Sequence, residues 1–102
     1  MASRLELQVE LEKVLGSKNV WFQPSASVTI SYPCVVYSIG SGDAKSANDR
    51  TYQFRNSYEI TFIFKRPMVE IIEKVVTHFP MCRCNTTFIN DNLYHYVFTL
   101  YY

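Results

Sequence analysis

The sequence predicts an α+β domain, with two helices packed on one face of a small mixed or antiparallel sheet. Two kinds of periodicity carry that reading. Residues 58–64 and 93–102 alternate with period two, as strands do, whereas apolar residues from 68 to 79 recur at helical spacing. The third observation is composition: 48% hydrophobic and 19% charged residues are globular values, which argues against disorder. At 102 residues the chain makes one domain, 1–102, with a single core of modest size.

The first helix is predicted from Ser3-Arg4-Leu5-Glu6, which has the form of a capping box. Leu7, Leu11, Val14 and Leu15 follow at helical spacing with Leu5 nearby, and Gly16 is a natural stop. Asn19 to Phe22 reads as a short strand cut by Pro24. Ser25 to Ser31 alternates weakly and reads as a ragged edge. Pro33 opens a continuous apolar run, Cys34 to Ile39, expected to be a central strand.

Gly40 to Arg50 is the longest polar stretch and reads as a loop. A long strand, Thr51 to Lys65, follows; Tyr58, Ile60, Phe62 and Phe64 share one side, with Glu59, Thr61, Ile63 and Lys65 on the other. Pro67 suits the first turn of a second helix. Its apolar stripe is Met68, Ile71, Ile72, Val75, Val76 and Phe79, and its wet face is Glu70, Glu73, Lys74 and His78. Met81 to Phe88 and Leu93 to Tyr102 close the chain as a hairpin around Asn90-Asp91-Asn92.

The last strand is apolar on both sides. Tyr94, Tyr96, Phe98, Leu100 and Tyr102 face one way; Leu93, His95, Val97, Thr99 and Tyr101 face the other. Two helices of about three turns cover one face of such a sheet. The uncovered face is expected to hold parts of Val35, Tyr37 and Ile39, Ile63, and one side of the closing strand. A patch of that size exceeds what monomers usually expose, so the sequence predicts self-association. The residues assigned to an oligomer interface are Val35, Tyr37, His95, Val97, Thr99 and Tyr101.

Chemistry is sparse. His78, Cys82, Cys84 and His95 raise the thought of zinc, but a Cys-x-Cys pair along a strand is not the knuckle spacing of structural sites. The three thiols, Cys34 included, read more simply as free and semi-buried. A Cys nucleophile with His95 as base lacks an orienting group and an oxyanion pocket. Gly40-Ser41-Gly42 has no phosphate-loop pattern. No RNA-binding strand signature accompanies the sheet aromatics, and a net charge of +1 gives no field for nucleic acid. Lys45, Arg50, Arg55, Lys65 and Arg66 read as solvated charge or as contacts to phosphates in an assembly. MASRLELQVE is no signal peptide, and no run is long enough to span a bilayer. The protein is expected to be non-enzymatic, without metal or cofactor, and to stay in a cytosol unless a larger particle carries it out.

Leu11 to Pro24, Tyr32 to Ile39, Tyr52 to Phe64 and the closing DNLYHYVFTLYY together resemble the tail completion, or tail terminator, proteins of long-tailed bacteriophages. The matching residues include Ala47-Asn48-Asp49, Asp91-Asn92-Leu93, His95, Val97-Phe98 and Tyr101-Tyr102, and the resemblance covers nearly the whole chain. One departure is Phe64-Lys65-Arg66-Pro67, where the family is usually acidic. The resemblance implies a virion subunit that forms a ring, commonly a hexamer, at the head-proximal end of the tail tube. Its partners would be itself, the major tail tube protein and the head-completion or connector protein, with DNA passing through the lumen and no membrane. It would be assembled in the host bacterial cytoplasm. The resemblance also implies that Asp43, Lys45, Asn48 and Arg50 in the polar loop face the lumen or the neighbouring ring. The runner-up is a head-tail adaptor or small nucleic-acid-binding domain, and behind it a metal-dependent or thiol enzyme.

Overall fold

A computed structural model of the chain describes residues 4–25, 29–39 and 57–101. It is an α+β domain with two helices and one five-stranded mixed sheet. The elements run α1 (Arg4–Leu15), β1 (Val20–Phe22), β2 (Cys34–Ile39), β3 (Ser57–Phe64), α2 (Glu70–His78), β4 (Cys82–Asn90) and β5 (Leu93–Tyr101). Across the sheet the order is β1-β2-β3-β5-β4. β1 and β2 are parallel and every other neighbouring pair is antiparallel. The apolar run of β2 is therefore flanked by β1 and β3, while β3 holds the centre. The first part of the long strand expected from Thr51 lies outside the described residues.

Burial explains the layering. Leu7, Leu11 and Val14 of α1 and Ile71 and Val75 of α2 join Phe79 and the sheet residues Val35, Tyr37, Ile60, Phe62, Tyr96 and Phe98 in one core cluster. Both helices thus lie on the same face. Burying a side chain of this kind contributes about 1.5–3 kcal/mol. Phe62 and Phe98 meet edge-on at 5.7 Å between ring centroids, at the middle of that layer.

Helix ends and turns follow local chemistry. Gly16 takes φ 80°, and its N–H and that of Ser17 both donate to the Glu12 carbonyl, closing α1. The expected N-cap, Ser3, lies outside the described residues. Pro67 stands before the turn that leads into α2 rather than within the helix's first turn. Met68 and Val69 make that tight turn: Ile71 N–H donates to the Met68 carbonyl and Ile72 N–H to Val69. The Met68 N–H is taken up by the Tyr96 hydroxyl at 2.9 Å. Asp91 and Asn92 both have positive φ, 53° and 61°, as a two-residue type I′ hairpin demands. The expected three-residue turn is thereby narrowed to two. The ragged edge expected at 25–31 is not a strand at residues 29–31.

Asn19 ties the start of the sheet together. Its side-chain N–H groups donate to the carbonyls of Ser31 (2.6 Å) and Pro33 (2.8 Å), and its amide oxygen accepts from the Trp21 indole at 2.7 Å. The adjoining Tyr32–Pro33 bond is cis. Gln23, with φ 44°, ends β1; its side-chain oxygen accepts from Ile39 N–H and continues the ladder beyond the last residue of β1.

Candidate functional site

Register settles which residues stand on the face away from the helices. Three rows cross it. The first is Trp21, Val36, Thr61, Val97 and Thr86; the second Cys34, Ile63, His95 and Phe88; the third Ser38, Glu59, Thr99 and Arg83. Among the described residues no helix covers this face. Its middle is apolar and β-branched, its rim aromatic, and one end carries a carboxylate and a guanidinium.

Of the residues expected at an interface, His95, Val97, Thr99 and Tyr101 do share this face, on β5. Val35 and Tyr37 do not. Each is 0% exposed and belongs to the helix-covered core, because Val35 pairs with Phe62 and Tyr37 with Ile60. The Tyr37 hydroxyl donates to Gln8 Oε1 at 2.8 Å and receives Arg4 Nη1, which fixes it under α1. Burial pushes the Tyr37 phenol upward against that Arg4 contact. Asp43, Lys45, Asn48 and Arg50 lie outside the described residues, as does Arg55.

The uncovered face shields itself better than its composition suggests. Val97 is only 8% exposed and Cys34 fully buried. His95 stacks on Phe88 with ring centroids 4.5 Å apart, and its Nδ1–H donates to the Leu93 carbonyl at 3.1 Å. Asn85 Nδ2 donates to Thr99 Oγ1, closing the irregularity in β4 between Cys84 and Thr86. On this face Phe88 and Tyr101 are the exposed large side chains; others stand elsewhere, among them Leu5 and Val9 on α1, Val69 before α2 and Ile89 at the end of β4. Sequence reading missed Trp21, Val36 and Phe88 on the open face. Alternation counted from Val20 would have found the first.

Beside the hairpin, Val69, Ile72, Thr87, Phe88, Ile89 and Tyr94 line an apolar groove of about 430 Å³. It opens between the start of α2 and the edge of the β4–β5 hairpin, where Thr87, Ile89, Tyr94 and Tyr96 come from the helix side and Phe88 and His95 from the other.

The sulfur and imidazole groups do not converge. Cys82 and Cys84 pair with Leu100 and Phe98 and point to the helix side, whereas His95 points away from it. The sheet separates Cys82 and Cys84 from His95, so neither of these thiols couples with that imidazole. Desolvation pushes the Cys34 and Cys82 thiols up to about 11, the reverse of an activated nucleophile. His78 sits 2.7 Å from Glu10 Oε1 in a clasp between the two helices. Among the described residues no group of three His, Cys, Asp or Glu side chains gathers as metal ligands, and no helix is long and apolar enough to cross a membrane.

The chain matches no family model, no curated protein and no solved structure.

Proposed function

We propose that this chain is a non-enzymatic structural subunit of a phage virion. Copies of it form a ring, a hexamer by the resemblance described above, at the head-proximal end of the tail tube. There the ring ends tube growth and offers the surface to which the head joins. The observation that supports this best is the two-sided β5: one face is core, and the other, with Trp21, Val36, Ile63 and Tyr101 around it, has no helix over it among the described residues. A domain that leaves one sheet face uncovered and apolar side chains at its rim is built to be completed by other chains. The order of motifs along the chain, from the first helix to DNLYHYVFTLYY, supplies the identity of the assembly.

Size-exclusion chromatography with mass measurement tests the ring, and addition to polymerising tail tube subunits tests the terminator role. The expected results are a closed multiple of the 11.9 kDa chain and tubes arrested in length. A single-chain mass at every concentration, with tubes growing unchanged, overturns the reading. Tight binding to nucleic acid by a chain that never forms a ring would favour the adaptor or nucleic-acid-binding alternative.

A further inference from the structure

Among the described residues, five of the eight exposed large hydrophobic side chains fall into two patches rather than scattering. The first is a ridge. Leu5 and Val9 are one turn apart on α1, opposite the buried stripe of Leu7, Leu11 and Val14, and Leu5 is 65% exposed. An apolar pair on the solvent side of a helix has no role in the subunit's own core. The second patch is the groove beside the hairpin, where Val69, Phe88 and Ile89 are exposed and Ile89 reaches 62%.

We infer that the ridge of one copy docks into the groove of the next, so that the occupant of the groove is α1 of a second copy of this chain. Two side chains one turn apart on a helix are the shape that an apolar groove beside a helix receives. Position agrees with the pairing. α1 packs over β1 and β2 at one end of the sheet, and the groove lies at β4 at the other. Two different patches at opposite ends make a head-to-tail contact, which builds a ring where its rotation closes and does not pair two copies about a two-fold axis. The inference rests on the ring reading and names the surfaces that build the ring.

Two variants test it, one on each patch: Leu5→Asp with Val9→Asp, and Val69→Asp with Ile89→Asp. All four positions are exposed, so urea unfolding midpoints close to wild type are expected to show intact folds. Each variant alone is expected to fall from the ring mass to that of one chain. Mixed in equal amounts, they are expected to form a complex of two chains and no larger, because one intact ridge then meets one intact groove. A variant that folds and keeps the wild-type mass overturns the ridge-and-groove contact while leaving the ring reading standing. So does a mixture that stays at single-chain mass, which would mean that the patches do not meet each other. A wild-type chain that is itself monomeric at every concentration overturns both.

Discussion

Glu10 shows how much one side chain does on a helix surface. It takes His78 on Oε1 and Lys13 on Oε2, and those two hydrogen bonds, His78 first, hold its carboxyl below the usual carboxylate range. The folded chain therefore releases this proton at a lower pH than the unfolded chain does. The resulting stability is present above the unfolded value and is lost as pH falls through the folded one. Glu10→Gln is expected to be less stable than wild type at neutral pH, with the gap between their urea midpoints closing in the acid range. A gap independent of pH would mean that this ionisation contributes nothing. The thiols give a second expectation. Cys34 is fully buried and its thiol is raised to about 11, so native protein should alkylate slowly there and the unfolded chain quickly. Mass mapping after brief iodoacetamide treatment checks this, and Cys34 labelled as fast as in urea would show that the site opens. The clasp is invisible in the sequence. Glu10 and His78 are 68 positions apart and meet only because two helices cross the same sheet face.

Elements are the most legible scale, for a physical reason. Strict alternation through Tyr58, Ile60, Phe62 and Phe64 admits one burial pattern, and so does the Ile71, Val75, Phe79 spacing; the structure has both. Continuous apolar runs carry no such constraint. Cys34 to Ile39 is legible as a strand, but nothing in it says which side is inward, and so Val35 and Tyr37 turn out on the covered face. α1 misleads in a related way, since Leu5 is apolar and near the stripe yet points to solvent. The hairpin turn invites a test at this scale. Asn92 holds φ 61°, which a β-branched side chain resists. Asn92→Val is expected to cost about 1–2 kcal/mol, and Asn92→Gly to hold or raise stability, since Gly suits the second position of a type I′ turn. Thermal unfolding of the three proteins decides it; equal losses for Val and Gly would mean that the Asn92 side chain, rather than backbone conformation, holds the turn.

At the scale of the whole molecule the question is which surfaces an assembly covers, and the chain carries its own reporter. Its single tryptophan, Trp21, stands on the uncovered face in the row with Val36, Thr61 and Val97, half-buried and anchored by its indole N–H to Asn19. The ridge and the groove lie elsewhere, on α1 and at the hairpin, so emission from Trp21 reports a different surface from the one that the mixing experiment tests. If the uncovered face is also buried when copies or tail partners add, the indole loses water. Its emission should then shift to the blue as concentration rises through the assembly range. Tyr101→Asp, placed on the same face at a position already 38% exposed, should abolish that shift without unfolding the subunit. Val97→Asp is the poorer probe, because Val97 is nearly buried within the subunit and a charge there costs the fold itself. A rise in mass with no change in Trp21 emission would confine the contacts between copies to the ridge and groove. The sheet face would then be left to a partner of another kind.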